Sequence, residues 1–277
     1  MSNKYIIKEN HKNSLVIKVG GAFMQDKDAA LALLGTMAEL QKNYFLVLVH
    51  GGGPMVEELL SALNITSQKI DGLRVTPKEH MPYITGALAG TANKQLCGLA
   101  MQAGLNPVGL SLLDGKICHA TVVRQELGAV GSVEPGDATL LKALADTHML
   151  PIISSIGADN NGNLLNVNAD QAATVIAQLL DAQLLLLSDV PGVLDANKNL
   201  IEHLNNEQIE MLIAQNVICD GMIVKVQAAL NAANSLGRSV TIASWKNAEK
   251  LLGLLQQRAI GSKIAPQINT PSYKASL

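Results

Sequence analysis

The sequence predicts an α/β protein organised on a parallel sheet, and three observations carry that expectation. Strand, glycine turn and helix follow one another twice within the first sixty or so residues. The leucine-rich run at 182–188 is too short to span a membrane and suits a strand buried on both faces. Of the 277 residues, 48% are apolar and only 16% charged, which fits a helix-covered sheet better than an exposed antiparallel one.

Taken in order, residues 15–19 (Leu-Val-Ile-Lys-Val) read as the first strand, broken by Gly20-Gly21. Leu31, Leu34, Met37 and Ala38 recur at helical spacing and predict an amphipathic helix over 28–42. A second buried strand over 45–49 leads into His50-Gly51-Gly52-Gly53-Pro54 and a helix over 56–63. Right-handed crossovers then make the sheet parallel and bring both glycine turns to one edge. The middle is less regular. Residues 71–77 predict a loop or short hairpin. Helical periodicity runs over 84–101, interrupted by Gly86, Gly90 and Gly98, and short β-branched runs over 115–133 suggest antiparallel hairpins. Alternation resumes with a helix over 138–147, a strand over 151–156 and a turn at 159–163. After 182–188 the pattern gives helices at 206–216 and 222–236, a strand at 240–243 and a helix around 248–255. Gly261-Ser262-Lys263-Ile264 is a candidate to close the sheet, and the tail after Pro266 reads as poorly ordered. No Pro/Ser-rich linker divides the chain. Two lobes sharing one sheet, 1–181 and 182–277, are expected.

A formal net charge of −2 gives no electrostatic reason to expect nucleic acid or an anionic membrane as partner. Cys97, Cys118 and Cys219 are widely spaced and read as reduced, structural thiols of a cytoplasmic protein. The N-terminal stretch has neither a long apolar core nor a small-residue cleavage site, so no signal peptide is expected. Six histidines are scattered without metal-ligand spacing, and no protein-held metal is expected. His50 has no evident triad partner, and no nucleophile-elbow motif is present.

The glycine turns after the two early strands let the backbone approach a ligand and offer N–H groups to an anion, most often phosphate; a tight turn without a ligand is the plainer alternative. Lys18 sharpens the first reading. It interrupts an apolar strand just before the turn, where an unpaired ammonium would cost several kcal/mol; the alternative is a lysine snorkelling from an edge strand. Asn166-Val167-Asn168-Ala169-Asp170 places Asp170 where a helix begins, a position that favours a carboxylate. Ser188-Asp189-Val190-Pro191-Gly192-Val193 is a turn-rich stretch at the end of a buried strand, where ligands bind in parallel sheets. Lys225 is the second lysine in an otherwise apolar run; alone it reads as a solvated helix-face residue. Arg74, on a loop, is a candidate for a forked grip on a carboxylate, with a surface arginine as the alternative. The glycines of Gly86-Ala-Leu-Ala-Gly90-Thr-Ala-Asn-Lys94 lack phosphate-loop spacing and suggest close helix packing. On the residues alone, the chain is an α/β protein that binds a phosphorylated ligand.

The ordered set IKVGG, VHGGGP, DGLRVT, ITGALAGTANK, SSIG, NVNADQAA, LLLLSDVPGVL, DGMIVKV and IASW resembles the amino acid kinase family over nearly the whole chain, most specifically its branch acting on N-acetyl-L-glutamate. Many members have Gly and Pro where this chain has Asp220 and Val224. The resemblance implies a three-layer αβα sandwich with an eight-stranded, mainly parallel sheet. It implies an N-terminal lobe for the acid and for dimerisation, and a C-terminal nucleotide lobe. The implied reaction moves the ATP γ-phosphoryl group to the side-chain carboxylate of N-acetyl-L-glutamate, giving an acyl phosphate in arginine biosynthesis.

The roles it implies are specific. Lys18 and Lys225 clamp the transferring group, Asp170 holds both ammonium groups, and the N–H groups of Gly21 and Gly52 meet the phosphoryl oxygens. Gly52, Gly53, Arg74 and Asn166 line the substrate pocket. Asp189, Val190, Pro191, Gly192, Val193 and Leu194, with Val217, Ile218 and Cys219, surround the nucleotide. Mg²⁺ rides on the nucleotide phosphates, with no protein cage. The acceptor is ionised at neutral pH, so no general base is required. A sibling kinase would lack the LRVT arginine, and a non-enzymatic sensor would lose Lys18, Asp170 or Lys225; all are present. Arginine-inhibited relatives carry an extra N-terminal helix that links dimers into a ring. Residues 1–14 here lack the apolar stripe of such a helix, so an arginine-insensitive homodimer is expected.

Overall fold

The computed structural model describes residues 13–70 and 72–267. The expectations for the N-terminal segment and the C-terminal tail rest on residues 1–12 and 268–277, which lie outside the described residues.

Strand β1 (Asn13–Val19) is followed by a 3₁₀ turn (Gly21–Gln25) and helix α1 (Lys27–Leu40). Asp26 caps α1 by accepting the Ala29 N–H at 3.0 Å. Strand β2 (Tyr44–His50) feeds helix α2 (Gly53–Ala62), with Pro54 in the first turn, where a missing N–H costs nothing. The hairpin expected at 71–77 pairs β3 (Lys69–Ile70) with β4 (Leu73–Arg74). Helix α3 (Met81–Thr85), a π-helical segment (Gly86–Ala92) and α4 (Asn93–Gln102) form one helical run. Gly86, Gly90 and Gly98 do not serve close packing there: a Cβ at any of them would meet nothing within 4 Å.

Strand β5 (Pro107–Ser111) precedes an antiparallel pair, β6 (Cys118–Val122) and β7 (Val130–Pro135), in the region where hairpins were expected. Helix α5 (Thr139–Asp146) and β8 (Leu150–Ser154) follow, then β9 (Ile156–Ala158) and β10 (Leu164–Val167). Helix α6 (Ala169–Leu179) leads to β11 (Gln183–Ser188), whose first residue, Gln183, is exposed while four leucines are buried. The last described elements are β12 (His203–Leu204), α7 (Asn206–Ala214), α8 (Asp220–Leu236), β13 (Val240–Ser244), a 3₁₀ helix (Ala248–Gln256) and β14 (Ser262–Ile264).

Among the described residues the main sheet has eight strands in the order β12-β14-β13-β11-β1-β2-β8-β5. Only β13–β14 is antiparallel. Strand periodicity separates the two cores. Val16, Val47, Val49, Leu184 and Leu186 face α2, α3, α6 and α8, whereas Leu15, Ile17, Leu46, Leu48 and Leu185 face α1, α4 and the last 3₁₀ helix. The result is the three-layer αβα sandwich with an eight-stranded, mainly parallel sheet. A second sheet, β6-β7-β10-β9, stands beside it. No helix among the described residues is long and apolar enough to cross a membrane.

Register fixes where chemistry can sit. Val19 pairs with His50 and with Leu187, His50 with Ser154, and Ser188 with Ser244. The strands therefore end level, and the turns after β1, β2, β8 and β11 share one edge, where parallel sheets bind ligands.

Candidate active site

Lys18 has the same side parity as Val16, so it faces the layer that holds α6. Its Nζ lies 2.8 Å from Asp170 Oδ1, with the side chains 15% and 31% exposed. Asp170 is the second residue of α6, behind Asn168, whose side chain accepts the N–H groups of Asp170 and Gln171. The lysine interrupting an apolar strand is thus paired, and it is not an edge-strand lysine, since β1 lies inside the sheet.

A cavity of about 320 Å³ opens beside this pair, lined by Lys18, Gly21, Gly52, Gly53, Arg74, Asn166 and Asp170 among others. Gly21 and Gly52 are closely packed, whereas a Cβ on Gly53 would meet nothing within 4 Å. A Cβ on Gly21 would overlap Pro54, and one on Gly52 would overlap Leu88. Arg74 is not a surface residue: its side chain is 9% exposed. Its Nη1 donates to Glu57 at 2.6 Å and to Ser67, and its Nη2 to the Gly53 carbonyl at 3.4 Å. The guanidinium holds the Glu57 carboxyl below its usual range. Both hydrogens of Nη1 are therefore committed to the protein, while Nη2 makes only the long contact to Gly53. Asn166 donates to Thr76 Oγ1 at 3.2 Å, and Thr76 is wholly buried.

Asp170 pairs with Lys18, while Lys225, in the second turn of α8, donates to Asp189 Oδ1 at 2.7 Å. Asp189 follows β11 directly, so this second pair rises from the same edge as the first. The Lys225 ammonium is the main reason the Asp189 carboxyl lies below its usual range. Neither residue lines the cavity beside Lys18.

The loop carrying Asp189, Val190, Pro191, Gly192, Val193 and Leu194 is pinned through Ser262. That hydroxyl accepts the Val193 N–H at 2.8 Å and donates to the Ile201 carbonyl at 2.6 Å. Gly192 has φ +147, a left-handed value that excludes most side chains. Leu194 bridges Leu200. Val217 and Ile218 both donate to the Leu212 carbonyl, and Ile218 is buried. Cys219 sits at the N-cap of α8; it is exposed, which corrects the reading of all three thiols as structural, and Cys118 is the buried one.

Three features carry little warning in the residue pattern. Asp189 as the partner of Lys225 and Glu57 as the partner of Arg74 are surface-like carboxylates whose roles depend on tertiary approach. The third is the wholly buried pair His50 and Asn93, joined at 3.1 Å. The available signals were polar residues at core positions, one ending β2 and one opening α4.

The sequence model of the amino acid kinase family matches residues 13–244. The acetylglutamate kinase of Aliivibrio fischeri (strain MJ11) is 52% identical over 259 residues, spanning 93% of this chain and 100% of that one. The acetylglutamate kinase of Vibrio campbellii is 51% identical over 261 residues, spanning 94% and 99%. The crystal structure of smu.665 from Streptococcus mutans UA159 superposes with a TM-score of 0.74 at 29% identity, over 92% of this chain and 99% of that chain.

Proposed function

Because this chain belongs to the amino acid kinase family, we propose that it transfers the γ-phosphoryl group of ATP to the side-chain carboxylate of N-acetyl-L-glutamate, the second step of arginine biosynthesis. The observation that carries the proposal is the Lys18–Asp170 pair at 2.8 Å, set beside a glycine-walled cavity that also holds Arg74 and Asn166.

Phosphoryl transfer asks a protein for positioning and for charge on the moving group. The acceptor carboxylate is the nucleophile and is already ionised, so no residue must remove a proton. Lys18 neutralises the acceptor side of the transferring phosphoryl, held in place by Asp170. The Gly21 and Gly52 N–H groups meet its equatorial oxygens as oxyanion donors. Lys225 meets the leaving-group side, exchanging Asp189 for phosphate oxygen. Arg74 and Asn166 hold the acceptor's α-carboxylate end, with Gly53 in the wall. The loop 189–194 and residues 217–219 receive the nucleotide.

Mg²⁺ would arrive with the nucleotide, since Asp170 is held by Lys18 and no cluster of three or more metal-ligating side chains occurs among the described residues. When bound, it draws off phosphate charge.

The division of labour follows the sheet. Residues 1–181 form the acid-binding lobe and 182–277 the nucleotide lobe, meeting where β1 pairs with β11. The enzyme acts in the cytoplasm as a homodimer. Supporting the dimer, β5 ends the sheet with five half-buried residues, and Met101 on adjacent α4 is 67% exposed. The test of function is ADP release with N-acetylglutamate, glutamate, aspartate and UMP offered in turn. Release should depend on N-acetylglutamate; release driven by UMP or aspartate alone would assign another acceptor.

A further inference from the structure

We propose that His50 and Asn93 are positioning residues that aim the Gly52 N–H into the cavity. The Gly51 carbonyl and the Gly52 N–H belong to one peptide group. That group is trans, so the two point in opposite directions, and whatever holds the carbonyl sets the course of the N–H. His50 Nδ1 lies 2.8 Å from the Gly51 oxygen. A carbonyl only accepts, so Nδ1 carries the proton and Nε2 is bare.

Asn93 enforces that tautomer. Its Nδ2 lies 3.1 Å from His50 Nε2 and also reaches the carbonyls of Ile152 at 2.8 Å and Leu110 at 3.4 Å. Two carbonyl neighbours demand the NH₂ end of the amide on that side, and Asn93 Oδ1 accepts from Lys94 Nζ at 3.1 Å on the other. With two hydrogens for three acceptors, the amide serves the nearer pair, Nε2 and the Ile152 carbonyl, and the Leu110 carbonyl, which also accepts from Ser154 Oγ at 3.3 Å, is the long contact. Both residues are wholly buried, and burial pushes the His50 pKa down to about 4, keeping the ring neutral at neutral pH. Gly51 is tied at its other end by its N–H to the Val19 carbonyl at 3.1 Å, which links the second glycine turn to the strand that carries Lys18. A chain of buried hydrogen bonds thus runs from Asn93 at the start of α4, through the imidazole, to one donor on the cavity wall. The proposal rests on reading that donor as a partner of the transferring phosphoryl group.

Two variants separate positioning from bulk. His50→Asn carries an amide donor close to Nδ1, whereas His50→Gln extends its amide towards Nε2 and leaves Gly51 without a donor. His50→Gln should lose about 10–100-fold in kcat with both KM values within about threefold, and His50→Asn should recover most of the loss. In the unaltered protein, imidazole ¹⁵N shifts should show His50 protonated at Nδ1 and bare at Nε2 around neutral pH. Wild-type kcat in His50→Gln, equal losses in both variants, or an Nε2–H tautomer would each overturn the proposal. Absence of turnover in the wild type would instead overturn the phosphoryl-transfer reading, with the imidazole spectrum still deciding whether the hydrogen bonds exist.

Discussion

Replacing Gly52 by alanine isolates the closeness of the glycine wall from everything else in the site. Gly52 has φ 175, outside the left-handed region that favours glycine. The effect of alanine is steric. The added Cβ would overlap Leu88 Cδ2 by about an ångström relative to ordinary carbon–carbon contact at about 3.5 Å. Leu88 is 4% exposed and belongs to the packed core, so it has little room to retreat. Overpacking of this kind costs about 1–3 kcal/mol, or about 2–4 °C in Tm per kcal/mol for a chain of this size. The backbone gives way in part, and an ångström of displacement at an oxyanion donor costs up to about 10²-fold in kcat. Gly53→Ala is the control for stability, since a Cβ there meets nothing within 4 Å. Calorimetry with steady-state kinetics on both variants checks the argument. If Gly52→Ala keeps wild-type Tm and kcat, the wall is looser than drawn and the Gly52 donor is not placed by packing.

Three further outcomes are expected. Lys225→Ala should fold normally and lose about 10²–10³-fold in kcat; turnover within about threefold of wild type would remove this lysine from the mechanism. Arg74→Lys should raise KM for N-acetylglutamate far more than KM for ATP, and should also lower Tm, because Glu57 and Ser67 lose a forked donor; equal effects on both substrates would argue against a carboxylate grip. Stability should fall as pH drops. His50 has a folded pKa of about 4, below its unfolded value of about 6.5, so the unfolded chain binds the extra proton across that window. The contribution, about 3 kcal/mol, is complete above the window and lost as pH falls through it, and denaturant titrations of His50→Asn should show a flatter profile between those limits.

The parallel sheet was legible because its strands are continuous apolar runs punctuated by glycine, and burial on both faces demands that pattern. Lys18 and Asp170 were legible as anomalies: an ammonium in an apolar strand and a carboxylate at a helix start. Strands β10 and β12 were not, being short segments whose pairing is decided by neighbours far away in the chain. The partners of the charged residues were hidden for a related reason. Glu57 is 52% exposed and Asp189 53%, and nothing local distinguishes either from a solvated surface carboxylate. The glycines at 86 and 90 misled, because a packing motif and a π-helical segment present the same spacing in sequence.

A carboxylate, not a hydroxyl or a phosphate, is the proposed acceptor of the phosphoryl group. Hydroxylamine added during turnover with ATP and N-acetylglutamate converts an acyl phosphate to a hydroxamate and leaves phosphate esters and anhydrides unchanged. Transfer to the carboxylate gives an N-acetylglutamyl hydroxamate, identified by mass, accumulating in step with ADP. ADP released without hydroxamate would contradict that acceptor.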